Sequence, residues 1–158
     1  MAIIALALFV MTISFVADMP QQELTVATYA SKASPLEIPI GAYDAATLTS
    51  MQAKLVARYG STIKITTDTS STNNNDFDRN FLLPKKKSVN FLLGGIYFGP
   101  TGSVTTDTTY EFTSVVNTRA PTACMFLQTM AAETYINHIR SSNISITVAQ
   151  NPFPLTAT

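Results

Sequence analysis

The chain has 158 residues, of which 46% are apolar and 13% charged, and its ten basic and ten acidic residues leave no net charge. This length fits one domain with one core, because domains run to about 100–200 residues. Basic residues cluster only at Lys85–Lys87, so the chain lacks the positive surface that a nucleic-acid partner requires. The 23 threonines and 13 serines indicate a hydroxyl-rich surface, typical of a secreted or exposed domain.

The chain contains one cysteine, Cys124, and one histidine, His138. These two residues are too few for a structural zinc site or a disulfide framework. On one helix their fourteen-residue separation would span about 21 Å, too far for the histidine to activate the thiol. Asp76 and Asp78 lie beside three asparagines, but the glycine and distal glutamate of an EF-hand calcium loop are missing. We therefore predict a protein that is not an enzyme and holds no metal or cofactor.

Residues 1–17 form an uncharged, largely apolar run that Asp18 ends. As a helix this run would be about 25 Å long, near the lower limit of about 17 residues for crossing a bilayer. A cleaved secretory signal would show a basic leader and small residues before the cut, whereas here Phe15 precedes a cut after Ala17 by three positions. We predict an uncleaved anchor, with a removed signal or a buried soluble helix as alternatives.

An apolar helix in lipid gains little from hydrophobicity when it associates, so its contacts depend on close packing of small side chains. Such contacts would form equally in a bilayer or in the core of a filament, because both bury an apolar cylinder. The residues expected to form the assembly face are Ala2, Ala5, Ala7, Leu8, Phe9 and Phe15.

After Pro20, residues 21–32 have mixed helical periodicity and predict an amphipathic stalk that continues the first helix. Pro35 and Pro39 should end this helix, because a residue that precedes proline avoids the α conformation. The sequence therefore predicts an extended connector around these two prolines.

Residues 44–59 predict a helix. Asp44 is a suitable N-cap, and Gly60 would occupy the C′ position after the last turn. The apolar residues at helical spacing are Leu48, Met51, Leu55 and Tyr59.

Residues 61–67 alternate apolar and polar side chains, which predicts a half-buried strand. The polar run at 68–75 predicts a mobile surface loop, and Lys85–Lys87 a solvated turn. Residues 89–98 and 104–116 flank a turn rich in glycine and proline and are predicted to form a hairpin.

Pro121 suits the first position of a helix, and residues 122–140 predict that helix. Residues 143–148 alternate again and predict a final strand. The residues expected on the inner face of the helix are Cys124, Leu127, Ala131, Tyr135 and Ile139.

These elements predict an α+β fold in which an N-terminal hydrophobic helix precedes a small antiparallel sheet. The two amphipathic helices should pack on one face of that sheet, because an apolar stripe needs a partner layer. We assign residues 1–33 to the hydrophobic helix and stalk, and residues 34–158 to the globular head.

The C-terminal third carries a recognisable pattern. Residues 110–127 contain a strand, a proline and an Ala-Cys-x-x-Leu helix start, and 143–148 would supply a closing strand. This order resembles type IVb pilins and related minor pilins. Residues 1–30, with Pro20, also resemble a processed pilin N-terminus. Ala5 stands where pilins usually carry glutamate, which favours an accessory subunit over a major one.

The resemblance implies a membrane-anchored or filament-incorporated structural subunit of a type IV pilus or a type II secretion-like machine. It would self-associate or bind other pilin-like subunits through the N-terminal helix, with Pro20 and Cys124 as structural positions. The head would then lie in the periplasm, outside the cell, or on a cell-surface filament. The alternative is an envelope or viral membrane protein whose exposed head binds a protein partner.

Overall fold

The computed structural model of the chain describes residues 22–30, 35–89, 91–99, 111–120 and 122–150. The predicted N-terminal helix, with its six assembly residues and Pro20, lies outside these ranges. Within them, no helix is both long enough and apolar enough to cross a membrane. The elements, in chain order, are β1 (Gln22–Glu23), α1 (Val26–Ala30), β2 (Leu36–Ala42), α2 (Ala45–Tyr59), β3 (Ile63–Asp68), α3 (Asn74–Asp76), a π-helical segment (Phe77–Leu82), α4 (Leu83–Ser88), β4 (Gly94–Phe98), β5 (Phe112–Val116), α5 (Ala123–Arg140) and β6 (Ala149–Gln150).

The main sheet has four strands in the order β3-β2-β4-β5. Strand β2 runs parallel to both β3 and β4, and β4 runs antiparallel to β5. The α+β class is thus confirmed, but the predicted all-antiparallel sheet is wrong because the sheet is mixed. Parallel neighbours require crossover connections, which here contain α2 and the helical residues 74–88.

Strand β2 occupies the stretch that was predicted to be an extended connector. Its side chains Leu36, Ile38 and Ile40 are at most 1% exposed. A proline argues against a central strand, because it cannot donate to a ladder. Pro39 is tolerated here because pairing with β4 begins only at Ile40, so the missing N–H can lie on the unpaired side.

The two faces of the sheet are covered by different helices. Ile40 and Ile96 are paired residues in the main core cluster, which also contains the buried faces of α2 and α5. Their neighbours Gly41 and Tyr97 face the opposite way, toward Phe77 of the π-helical segment. The head therefore has three layers, with helices on both sides of the sheet.

Helix α2 matches the predicted helix at 44–59. Asp44 caps it by accepting a hydrogen bond from Thr47 N at 2.8 Å, and its predicted apolar stripe faces the core. The helix ends at Tyr59 as predicted, but Gly60 is its C-cap and not the C′ residue: Gly60 has φ of −60°, and its N–H donates to Val56 O at 2.8 Å.

Helix α5 matches the predicted helix at 122–140, and most of its predicted inner face is buried. Leu127, Ala131 and Tyr135 belong to the core. Cys124 is a free, partly buried cysteine, and Ile139 is 45% exposed. The predicted inner face is therefore correct in the middle of the helix, but its first and last residues are not fully buried.

The polar stretch at 68–75 is only in part the surface loop that was predicted. Asn73 starts α3 by accepting from Asp76 N at 3.0 Å, and its own amide donates to the Asp76 carboxylate at 2.7 Å. The helical residues continue to Ser88, and the wider π-helical turns end at Leu82. Pro84, which has no N–H to donate, lies in the first turn of α4, where an N–H has no helical partner.

The predicted solvated turn at Lys85–Lys87 belongs instead to α4. Lys85 Nζ lies 2.6 Å from Glu37 Oε1, so this ion pair joins α4 to β2. Burial disfavours the Glu37 carboxylate, but the Lys85 contact and a hydrogen bond from Thr66 outweigh it and lower the pKa of Glu37.

The hairpin prediction is confirmed where the structure describes it, because β4 and β5 pair antiparallel over five residue pairs. The closing strand predicted at 143–148 is wrong. Those residues have no regular secondary structure, and only Ala149–Gln150 form a strand.

The predicted stalk helix is also wrong in its first residues. Gln22–Glu23 form β1, which pairs antiparallel with β6, and the helix α1 begins only at Val26. Leu24 and Tyr29 are buried, and Tyr29 belongs to the core of the head.

Two glycines of the main sheet leave no room for a Cβ atom, one because of backbone and the other because of side chains. A Cβ at Gly94, whose φ is +153°, would lie 2.0 Å from Val115 O, whereas one at Gly41 would meet the ring edges of Phe77 and Tyr97 at 2.8 and 3.0 Å. We expect Gly94→Ala to lower the free energy of unfolding by about 3 kcal/mol and Gly41→Ala by less, since rings can shift. Urea unfolding of the two variants measures both, and equal losses would contradict the pairing of Gly94 with β5.

Candidate functional site

Glu133 on α5 is a charged side chain that is only 2% exposed. One carboxylate oxygen accepts hydrogen bonds from Arg58 Nε at 3.2 Å and from the Tyr59 hydroxyl at 3.1 Å. The other accepts from Ile146 N at 2.7 Å. The buried charge is therefore paired, and it joins α2, α5 and the segment that follows α5.

The segment at 142–148, here called the C-terminal strap, is held by side chains of α5. Asn137 Oδ1 accepts from Ser142 Oγ at 3.0 Å and from Ile144 N at 2.7 Å, and its Nδ2 donates to Ile144 O at 2.8 Å. With the Glu133 contact, these bonds satisfy backbone groups that would otherwise need a neighbouring strand. This explains why the alternating pattern does not form a strand.

A polar cleft of about 290 Å³ opens beside these contacts. Its charged lining comes from Lys54, Arg58 and Glu133, and the last two are paired with each other. Such a cleft can accept a small polar ligand or a polar side chain of a protein partner. The remaining lining residues are Ala57, Thr134, Asn137, Ser141, Ser142 and Asn143.

Ser50 and His138 form a second polar contact between α2 and α5, with 2.7 Å between Ser50 Oγ and His138 Nδ1. A hydrolytic triad would also need a carboxylate that orients the histidine. Within the described ranges, His138 has no such carboxylate partner. The pair therefore ties the two helices together.

A third polar group lies where the parallel strands β2 and β3 end. Asp44 follows β2 and caps α2, and Asp68 is the last residue of β3. Asp68 Oδ1 accepts from Ser70 N at 2.8 Å and from Ser70 Oγ at 2.6 Å. Burial disfavours the charged form of Asp68, but the hydrogen bonds from Ser70 and Ser71 outweigh it and lower its pKa.

Tyr97 lies in β4 near the same end of the sheet and is fully buried. Burial, followed by the charges of Asp68, Asp76 and Asp44, raises the pKa of its phenol to about 12. This end of the sheet is thus an acidic environment around a protonated tyrosine.

The structure locates the cysteine, the histidine and the two aspartates that the sequence analysis considered as chemical groups. Cys124 and His138 lie fourteen positions apart on one uninterrupted helix, about 21 Å along its axis. Asp76 is used in the cap of α3, and Asp78 is exposed. In the part of the chain that the structure describes, no three His, Cys, Asp or Glu side chains are grouped as metal ligands.

The buried polar residues Glu133 and Asn137 were not predicted from the sequence. They are four positions apart, so they project from the same face of a helix. Because both residues lie in a helix whose buried side is largely apolar, a polar pair at this spacing is a signal for an internal hydrogen-bond network. The segment that receives the hydrogen bonds can be identified only from the tertiary structure.

Comparison with protein-family models, with curated proteins and with solved structures gives no match to this chain.

Removal of the Glu133 carboxylate should release the strap. In Glu133→Ala, the Tyr59 hydroxyl and the Ile146 N–H lose their acceptor, so we expect a loss of about 3 kcal/mol in unfolding free energy and faster amide exchange at Ile146. Hydrogen exchange by NMR measures the second effect. Asp78→Ala, at an exposed carboxylate, is the control, and unchanged exchange at Ile146 would show that Glu133 does not hold the strap.

Two tyrosines should make the fold sensitive to alkaline pH. Burial and the Glu133 charge raise the pKa of Tyr59 from 10.0 to about 12, and Tyr97 has a similar value. The unfolded chain therefore loses these protons first, and stability should fall between about pH 10 and about pH 12. Tyr59→Phe and Tyr97→Phe should each reduce this pH dependence in urea unfolding, whereas Tyr43→Phe, at an exposed residue, should preserve it.

Proposed function

We propose that this chain is a non-enzymatic structural subunit, anchored by residues 1–17 in a membrane or in the core of a filament. In its specific form it is a pilin-like component of a type IV pilus or a type II secretion-like machine. Its α+β head then lies in the periplasm or outside the cell, and the N-terminal helix packs against copies of itself or against other pilin-like subunits.

The observation that carries this proposal is the way in which the head holds its first residues. Gln22 follows the apolar run by five positions, and it already pairs with Gln150 across β1 and β6. Leu24 N donates to Val148 O at 2.9 Å, which continues the pairing. Residues 22–24 are therefore part of the head.

Tyr29 reinforces this attachment. Its ring lies 5.1 Å from that of Phe126, and its hydroxyl donates to Thr122 Oγ1 at 2.9 Å. A structural subunit must transmit the position of its assembly helix to its head. An attachment that enters the core supports that role better than a loose tether would.

The resemblance to pilins rests in part on a strand that is followed by a helix. Phe112–Val116 form a strand, and Ala123–Arg140 form the helix that starts with Ala-Cys-x-x-Leu. The C-terminal strap takes the place of the closing strand. Hydrogen bonds to Glu133 and Asn137 hold this strap on α5.

The polar cleft beside the strap favours the alternative function. An envelope or viral membrane protein would use the same anchor and present the cleft to a protein partner. Lys54 and the exposed part of Arg58 would then select an acidic group on that partner.

Fractionation of cells that express the full chain tests the anchor. We expect the chain to sediment with membranes or with sheared surface filaments, and recovery in filaments favours the pilin-like form. Mass spectrometry of the endogenous N-terminus is the decisive measurement. A mature form that begins at Asp18 would be a soluble secreted protein, which contradicts the proposal.

A charge in the apolar run should prevent anchoring. Ala5→Arg places a cation in a helix that is buried in lipid or protein, at a cost of about 2.5–3.5 kcal/mol on insertion scales. We expect loss of membrane retention or of filament incorporation. Ala53→Arg, at an exposed position of α2, is the matched control and should assemble normally. If Ala5→Arg were retained equally well, residues 1–17 would not be the assembly element.

A further inference from the structure

The order of the strands gives the main sheet a topological switch point. From β2 the chain crosses through α2 to β3 on one side, and then through residues 74–88 to β4 on the other side. In sheets of this kind, ligands bind in the crevice outside the carboxyl ends of the strands where the connections diverge. Asp68 and Tyr97 lie at that end of β3 and β4.

Three buried side-chain oxygens at this end of the sheet have no hydrogen-bond partner: Asp68 Oδ2, Ser71 Oγ and the Tyr97 hydroxyl. All three side chains are more than nine-tenths buried. A buried polar atom without a partner costs about 1–3 kcal/mol, and such atoms in native proteins indicate a water, an ion or a functional role.

The strand register places Asp68 and Tyr97 around one residue. Both pair with Gly41 of β2, from opposite sides, so their side chains leave the same face of the sheet. Two strand spacings separate their Cα atoms by about 9.6 Å. The Phe77 ring packs over Gly41 and closes this face of the sheet.

Ser71 belongs to the same group through the turn after β3, because its N–H contacts Asp68 Oδ1 at 3.4 Å. The charge around the group is negative, since Asp44, Asp68 and Asp76 all act on the Tyr97 phenol. Two of these carboxylates accept hydrogen bonds in helix caps: Asp44 from the Thr47 N–H, and Asp76 from the Asn73 side-chain amide. Asp68 Oδ2 is a buried carboxylate oxygen that remains without a hydrogen-bond partner.

We propose that this end of the sheet binds a hard cation of the calcium class, with Asp68 Oδ2, Ser71 Oγ and the Tyr97 hydroxyl as its protein ligands. Carboxylate and neutral oxygens are the donors that such cations take, and water completes their coordination. One carboxylate with two hydroxyls is a sparse donor set, so the binding is weak. The cation links β3 to β4 across β2 and steadies the head without any catalytic step.

The full chain in detergent, freed of cations by a chelator, allows a direct test with CaCl₂ and with Tb³⁺ as a luminescent substitute. Calcium should raise the thermal unfolding midpoint, and light absorbed by Tyr97 should sensitise Tb³⁺ emission. Asp68→Asn should weaken the calcium response at least tenfold. Asp78→Asn, at an exposed carboxylate on the neighbouring helical segment, is the control and should respond like the wild type.

Tyr97→Phe separates a cation from a simple buried water. If the hydroxyl is a ligand, Tyr97→Phe should lose most of the Tb³⁺ emission and part of the calcium response, whereas Tyr43→Phe should retain both. A wild-type midpoint that does not depend on calcium would overturn the proposal. So would an equal calcium response in wild type and Asp68→Asn. These outcomes concern the head alone, so they do not depend on whether residues 1–17 act as an anchor.

Discussion

Strand β2 pairs on both edges and is buried on both faces, and the rest of the head depends on this placement. Its Leu36, Ile38 and Ile40 side chains enter the main core, and Glu37 on the other face binds Lys85. A strand in this position needs helices above and below it, because neither face can be left to solvent. The crossovers to β3 and β4 supply those helices.

The first and last described residues of the head are joined by the short antiparallel pair β1 and β6. Strands β1 and β6 contain only two residues each, too few for an independent hairpin. Their pairing holds because Leu24 and Tyr29 enter the core on one side, while Glu133 and Asn137 bind the C-terminal strap on the other. Hydrophobic burial and buried polar contacts thus cooperate at the point where the chain leaves the proposed anchor.

The polar groups of the head fall into two classes. Those between α2 and α5 are satisfied: Glu133 has donors on both carboxylate oxygens, and Ser50 pairs with His138. Those at the carboxyl end of the sheet are not, because Asp68 and Tyr97 each retain an oxygen without a partner. A polar network in which every group has a hydrogen-bond partner stabilises a single arrangement of the two helices. Buried oxygens without a partner are candidates for ligand binding. This contrast distinguishes the polar contacts between α2 and α5 from the proposed cation site.

The sequence by itself determined the elements whose signals are local. Asp44 and the stripe that includes Leu48 identified α2, since caps and helical spacing act within a few residues. The same reasoning located α5, β3 and the antiparallel pairing of β4 with β5. Only the tertiary structure decided that the segment around Pro39 is the central strand, because strand pairing is a contact between distant residues. It also decided that residues 143–148 bind Glu133 and Asn137 instead of a strand. An alternating pattern predicts which side chains are buried. The hydrogen-bond partner of the backbone depends on which segment lies beside it in the tertiary structure.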